Sequence, residues 1–203
     1  MTETSNVNEI IRAIVDAQNR DDWNSIKKLI DSKFHKDPVK YKSISGLFTH
    51  EDIAQLPSTI EQKDLKTPTE KLLYAALWKN GDLLKITHII RGIQGDDTAE
   101  SSAMTFYYFG KFLANPAKSP IIDQHVIRAY KAIISEGLLD ESLLHEISKS
   151  GLLNSKKDTA IVNEYIKWAT EKATTIKSGD SDIVMSLELI DDVMFALGRM
   201  LKK

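Results

Sequence analysis

Apolar residues recur at helical spacing along almost the whole chain, and this periodicity most constrains the fold. Only 9 glycines and 5 prolines interrupt the 203 residues. No stretch shows the alternation of apolar and polar residues that is typical of a half-buried strand. We therefore predict an all-α fold with no sheet larger than a short hairpin. A chain of this length forms one compact domain or two small lobes that share a core.

The sharpest helix boundaries flank a predicted helical hairpin. Thr67 is a typical N-cap, Pro68 suits the first helical position, and Glu70 can complete a capping box. Gly81 follows as a stop signal, and Asp82 can open the next helix. The apolar residues of the first helix that we expect to face inward are Leu72, Leu73, Ala76 and Leu77.

Capping residues and apolar spacing predict further helices on both sides of this hairpin. Between about His35 and Lys66 the pattern is irregular. On the N-terminal side we predict a helix up to about residue 19, a second helix capped by Asp21 or Asp22, and a short helix near Glu51–Gln55. The second helix carries Trp23, Ile26, Leu29 and Ile30. On the C-terminal side we predict a helix that ends near Ala114, one capped by Asp140, one from about Asp158 to Ile176, and a last helix that begins at Ser181.

Composition excludes several kinds of site. The chain has no cysteine, so it has no disulfide, no thiolate metal site and no iron–sulfur cluster. Its formal net charge of −2 gives no overall attraction to nucleic acid, so a DNA surface must be a local basic patch. We expect neither a metal nor a cofactor. With no signal-peptide pattern in its first residues and no apolar run near the ~20 residues of a membrane span, we expect a cytoplasmic protein with no membrane partner.

The segment from Pro120 to Arg128 carries the most chemical information. An apolar pair precedes Asp123, which can cap a helix. Because orphan N–H groups and the helix dipole lower the pKa of a carboxyl group at this position, we expect Asp123 to stay ionised. An ionised carboxylate can stabilise the positive charge that a deoxyribose acquires when its base departs, or position a water molecule. On spacing alone, a purely capping role is the alternative.

This segment resembles the catalytic-aspartate segment of the helix-hairpin-helix base-excision DNA glycosylases, which include endonuclease III and the 8-oxoguanine glycosylases. Their pattern is apolar, apolar, Asp, any residue, His or Asn, apolar, any residue, Arg. The matching residues are Ile121, Ile122, Asp123, His125, Val126 and Arg128. The resemblance implies two helical lobes with a substrate cleft between them. The central lobe would comprise residues 65–150, and the second lobe residues 1–64 and 151–203.

The resemblance also implies a function. The protein would bind DNA, recognise a damaged or modified base similar to 8-oxoguanine, and cleave its N-glycosidic bond with Asp123 as the catalytic residue. His125, Arg128 and Trp78 would contact the substrate, because a flipped base is held by stacking and hydrogen bonds. For His125, a role in side-chain packing beside the helix start is an equal alternative. Trp78 and the aromatic residues Tyr107 to Phe109 can equally be core residues.

The chain departs from the family pattern at the hairpin turn. Family members have a glycine-containing turn there that binds a DNA phosphate, and bifunctional members have a lysine nucleophile just after it. Here Asp96, Asp97 and Glu100 precede Thr105, and no lysine lies at that position. Lys111 lies six residues further on, about 240° around the helix. We therefore expect a monofunctional glycosylase or a catalytically inactive interaction module with the same fold. An unrelated helical protein is the third alternative.

Overall fold

The computed structural model describes residues 3–20, 22, 25–26, 28–29, 44, 47–96, 103–135, 140–149, 156–173, 175–178, 181–184 and 187–202. These residues are mostly helical, which confirms the all-α fold class. The helices are α1 (Glu3–Asn19), α2 (His50–Gln55), α3 (Pro68–Asn80), α4 (Leu83–Gln94), α5 (Met104–Ala114), α6 (Gln124–Ile134), α7 (Glu141–Lys149), α8 (Lys156–Lys172) and α9 (Leu187–Met200). Gln62–Asp64 form a 3₁₀ turn, and the described strands are β1 (Thr175–Ser178) and β2 (Ser181–Val184).

Helix α3 begins and ends where its capping residues predict. The Thr67 hydroxyl accepts a hydrogen bond from the Glu70 N–H at 3.2 Å, and the Glu70 carboxylate accepts one from the Thr67 N–H at 2.7 Å. Pro68 occupies the first helical position. Gly81 ends the helix in the left-handed conformation with φ of 71°, which glycine adopts without steric cost. The capping box and the glycine stop are both confirmed.

The predicted inner face of α3 is not buried. Leu72 is 70% exposed and Leu73 is 57% exposed, while Ala76 is exposed and Leu77 is only half-buried. The prediction of a core face was therefore wrong among the described residues. Apolar spacing identifies a helix and one of its faces. It does not reveal whether another element covers that face, and the main neighbour of α3 is α4.

Helices α4 and α5 make the most extensive contact between helices in the described part of the chain. Glycines permit this close approach. A Cβ atom on Gly92 would lie 1.9 Å from the Tyr107 carbonyl oxygen, and one on Gly110 would lie 2.1 Å from the Ile89 carbonyl oxygen. Both distances are far below van der Waals contact. The two backbones therefore meet at a crossing that side chains larger than hydrogen would block.

Buried apolar side chains form two clusters. The larger one joins residues of α6 to residues of α1, α8 and α9, including Ile11, Ile127 and Leu197. The smaller one is built around Ile93, Phe112, Leu113 and Ile121, with half-buried residues such as Phe48 packed against it. The segment just before α6 thus lies between the two clusters. The division into lobes at residues 64 and 150 stays a prediction.

The last third of the chain differs from its prediction. Helix α8 ends at Lys172, and β1 and β2 then form an antiparallel hairpin that pairs Thr175 with Val184 and Ser178 with Ser181. The final helix begins at Leu187 rather than Ser181. β-Branched residues in both strands favour extended structure, and the Gly179-Asp180 pair between them is typical of a two-residue hairpin loop. The predicted helix limits were wrong here because these signals outweigh the apolar spacing.

Several predicted features lie partly outside the described residues. Asp22 accepts a hydrogen bond from the Ser25 N–H at 3.2 Å, as expected for a cap, whereas Trp23 and Ile30 are not described. Asp97 and Glu100 of the acidic hairpin segment also lie outside the described residues. Among the described residues, no helix is long and apolar enough to cross a membrane.

Candidate functional site

Asp123 is the N-cap of α6. Its Oδ1 atom accepts hydrogen bonds from the backbone N–H groups of His125 and Val126, both at 2.8 Å. The Asp123 backbone is extended, with φ of −142° and ψ of 176°, which is the usual N-cap conformation. Pro120 lies three residues before this cap. The capping interpretation of Asp123 is confirmed as a structural fact, and it holds the carboxylate in one orientation.

Burial raises the pKa of Asp123. The residue is 9% exposed, and loss of solvation disfavours its charged form more than the hydrogen bonds from Val126 and His125 and the positive charge of Arg128 favour it. The expectation of a lowered pKa was wrong. That expectation considered only the effect of the helix terminus on the pKa. The pKa is raised because other parts of the protein cover this terminus and remove water from the carboxyl group.

His125 and Arg128 interact with each other one turn into α6. Arg128 Nη1 donates to His125 Nδ1 at 3.2 Å, and Nη2 donates to the Gln124 side-chain oxygen at 3.0 Å. A guanidinium can only donate, so Nδ1 of His125 carries no proton and the imidazole is neutral. Burial lowers the pKa of His125, in agreement with this. The imidazole also lies edge-to-face against Phe195 of α9, with ring centroids 5.3 Å apart.

Arg128 is almost completely buried. Its side chain is 3% exposed, and burial lowers the pKa of its guanidinium while the nearby Asp123 carboxylate raises it. Asp123 thus caps α6, and His125 and Arg128 lie within the first two turns of this helix. In this arrangement the guanidinium provides positive charge beside Asp123.

Trp78 lies away from these three residues. It is 68% exposed near the end of α3, a helix whose main neighbour is α4 rather than α6. Of the other aromatic candidates, Tyr107 is buried, and the Tyr108 hydroxyl lies 3.4 Å from the Asn163 side-chain oxygen. The Lys111 ammonium lies 5.1 Å from the centroid of the Tyr107 ring, which is a cation–π distance.

A buried carboxyl group that we did not predict as part of the site lies next to the segment from Ile121 to Arg128. Asp191 of α9 is 4% exposed. Its Oδ2 accepts a hydrogen bond from the Ile121 N–H at 3.1 Å, and its Oδ1 accepts one from the Tyr165 hydroxyl at 3.2 Å. Burial raises the pKa of Asp191 to about 8. The charges of Asp192 and Asp123 act in the same direction.

One sequence signal could have identified Asp191. It lies inside the apolar stripe of the last helix, directly after Ile190 and one turn before Met194. A carboxylate on the buried face of an amphipathic helix is unusual unless its oxygens have hydrogen-bond partners.

Two cavities that are lined by described residues do not include Asp123. One of about 340 Å³ is lined by Leu47, Phe48, Asp52, Gln55 and Leu56. Another, of about 260 Å³, lies between α6 and α7 and is lined by Lys131, Ile134, Ser135, Leu143, Glu146 and Ile147. Asp123 lines neither of them. In the described part of the chain no three or more histidine or carboxylate side chains are grouped as metal ligands.

Comparison with known proteins found no relative of this chain. The chain matches no protein-family model, and no curated protein or solved structure is significantly similar to it.

Proposed function

We propose that this protein is a monofunctional DNA N-glycosylase of the helix-hairpin-helix type, which releases a damaged or modified base similar to 8-oxoguanine. One observation carries the proposal: the Asp123 carboxylate is fixed at the start of α6, with His125 in the first turn and Arg128 hydrogen-bonded to His125. The resemblance of Ile121 to Arg128 to the catalytic segment of that family supports the same conclusion. A cytoplasmic location belongs to this proposal, since a chain without cysteine suits a reducing compartment.

Asp123 would act through its second oxygen. Oδ1 is occupied by two backbone N–H groups, and among the described residues no hydrogen bond to Oδ2 is recorded. In the ionised form, Oδ2 would face the positive charge that develops on the sugar. Because burial raises the pKa of Asp123, the carboxylate is also a stronger base toward water than an exposed aspartate.

The proposed reaction is hydrolysis. A water oxygen bonds to C1′ of the deoxyribose while the bond from C1′ to the base nitrogen breaks. The electron pair of that bond leaves with the base, and Asp123 accepts the proton of the attacking water. No lysine nucleophile is needed, so no Schiff base forms.

The neighbouring residues would have different roles. Arg128 is buried, so we assign it the role of a positioning residue whose charge favours ionised Asp123. His125 is half-buried and would contact the DNA strand beside its hydrogen bond to Arg128. The exposed Trp78 ring would stack on a DNA base, because stacking on an aromatic face is sequence-tolerant.

The test is base release from a panel of duplexes that carry different damaged bases. Asp123→Asn should lower the rate by at least ~100-fold, because the amide can still cap α6 but cannot accept a proton or carry charge. Stability should change by no more than about 1 to 2 kcal/mol. Base release at the native rate by Asp123→Asn would contradict the catalytic role, and absence of release by the native protein on every duplex would contradict the enzymatic function.

Asp140 offers a matched control. It caps α7 and accepts a hydrogen bond from the Leu143 N–H at 2.7 Å, but it is exposed. Asp140→Asn makes the same chemical change at another helix start. It should leave base release unchanged.

The exposed apolar residues favour a second function, that of a catalytically inactive interaction module with this fold. Leu72, Leu73 and Trp78 of α3 and Leu84 of α4 are each more than half exposed, and grouped exposed apolar residues are typical of binding surfaces. This function would be favoured if the native protein releases no base and self-associates in sedimentation experiments. A Leu72→Ser/Trp78→Ser variant should then no longer self-associate. A monomer at all concentrations would argue against binding between copies.

A further inference from the structure

The backbone just before Asp123 is held by a side chain from a distant helix. Ile121 lies two residues before Asp123, and its N–H donates to Asp191 Oδ2 at 3.1 Å. The amide of Ile121 belongs to a buried residue, so water does not offer an alternative acceptor. The position of Asp191 therefore determines where the chain lies as it enters the cap of α6.

Asp191 is itself fixed from a third element. The Tyr165 hydroxyl of α8 donates to Asp191 Oδ1 at 3.2 Å, and the Tyr165 side chain is completely buried. Both carboxyl oxygens thus have partners on different elements. Burying a carboxyl group is costly compared with an apolar side chain of similar size. An apolar residue could fill the same volume but could not accept a hydrogen bond from Ile121.

Helix α9 also restricts the position of the first turn of α6. A Cβ atom on Gly198 would lie 1.8 Å from the His125 carbonyl oxygen, so the two backbones are in direct contact there. The first turn of α6 cannot move toward α9. The segment from Ile121 to Asp123 lies before this turn, and Asp191 accepts a hydrogen bond from its backbone.

We propose that Asp191 is a positioning residue, which sets the location of the Asp123 carboxylate through the backbone of Ile121. Tyr165 supports it by fixing the orientation of the Asp191 carboxyl group. This inference rests on the proposed function of Asp123 as the residue that acts on the sugar. It adds a residue from the C-terminal helix to a site that the motif alone confines to α6.

Three variants separate positioning from general stability. Asp191→Ala removes both hydrogen bonds. Asp191→Asn keeps them, because the amide oxygen can accept from the Ile121 N–H and the amide nitrogen can donate to the Tyr165 hydroxyl oxygen. Tyr165→Phe removes the support but leaves the acceptor for Ile121. Glu188→Ala, which alters an exposed acidic residue of the same helix, is the control.

The first measurement is hydrogen exchange of single amides by NMR. In Asp191→Ala, the Ile121 and Val126 amides should exchange at least about tenfold faster relative to the Ile90 and Leu113 amides of α4 and α5. Asp191→Asn should restore slow exchange, and Tyr165→Phe should give an intermediate rate. Equal acceleration at all four amides, or no acceleration at Ile121, would overturn the proposal.

The second measurement is single-turnover base release on a duplex that contains 8-oxoguanine. Asp191→Ala should slow release by at least about tenfold with DNA affinity unchanged within about twofold, and Asp191→Asn should restore the rate. If Asp191→Ala does not fold, Tyr165→Phe and Asp191→Asn provide the same comparison. If the native protein releases no base, the proposed function fails, whereas Ile121 exchange still decides whether Asp191 positions this segment.

Discussion

At the start of α6, burial disfavours the charged form of three neighbouring side chains. It raises the pKa of Asp123 and lowers the pKa values of His125 and Arg128. The attraction between Asp123 and the two basic groups opposes these shifts without cancelling them, whereas the charge of Arg128 lowers the pKa of His125 further. The catalytic step that we propose needs ionised Asp123, so base release should increase as pH rises through the pKa of this carboxyl group.

The pKa of Asp191 makes stability depend on pH. An unfolded aspartate titrates near ~3.9, whereas burial raises the pKa of folded Asp191 to about 8. Between these values the folded protein binds a proton that the unfolded chain has lost. The contribution of this group is therefore fully present at low pH and is lost as pH rises toward about 8, by up to about 1.4 kcal/mol per pH unit.

Asp191→Asn should flatten this dependence, because the amide does not titrate. Urea unfolding of both proteins at several pH values between 5 and 8 measures the effect. Parallel curves for the native protein and the variant would show that Asp191 is ionised in the folded protein at neutral pH.

At the scale of elements, the α4–α5 crossing depends on two glycines. A Cβ on Gly110 would lie 2.1 Å from the Ile89 carbonyl oxygen, so Gly110→Ala must push the helices apart. We expect a loss of about 1 to 3 kcal/mol in the free energy of unfolding. Gly95→Ala, at the end of α4, is the control. Nothing lies within 4 Å of a Cβ atom at this position, so the substitution only disfavours the left-handed backbone conformation, at a cost of about 1 kcal/mol. Equal losses in chemical denaturation would contradict close contact at Gly110.

Helix α3 should tolerate changes on its apolar face. Leu72 is 70% exposed, so Leu72→Ala should alter the free energy of unfolding by less than about 0.5 kcal/mol. Ile90 of α4 is 3% exposed, and Ile90→Ala should cost about 2 to 5 kcal/mol. A large loss in Leu72→Ala, measured by thermal or urea unfolding, would show that another part of the chain covers this face.

Local signals predicted helix boundaries better than helix environments. Thr67, Gly81, Asp123 and Asp140 act on backbone groups within a few residues, so the sequence was sufficient to identify them. Burial of Leu72 or ionisation of Asp123 depends on elements far along the chain. The β1–β2 hairpin was missed because its strands are only four residues long, too short for a periodic pattern to be distinct.

For the molecule as a whole, the absence of a hairpin lysine predicts the chemical outcome of catalysis. An active protein should release the base, leave the abasic strand intact and form no adduct with DNA that borohydride can trap. Lys111 lies over the Tyr107 ring, which keeps its ammonium in contact with an aromatic face. Denaturing gel electrophoresis after borohydride treatment measures this. A trapped complex lost in Lys111→Ala would identify Lys111 as the nucleophile and overturn the monofunctional proposal.

The hydrogen bond between Ile121 and Asp191 also bears on synthesis. The two residues are 70 positions apart, and α9 is synthesised after α6. During translation the Asp123 segment therefore emerges long before its partner, while α1 and α6 already expose apolar faces that α9 later covers. A nascent chain stalled before α9 should lack the hydrogen bond that holds the backbone at Ile121. Any activity of this site would then begin only after α9 has left the ribosome.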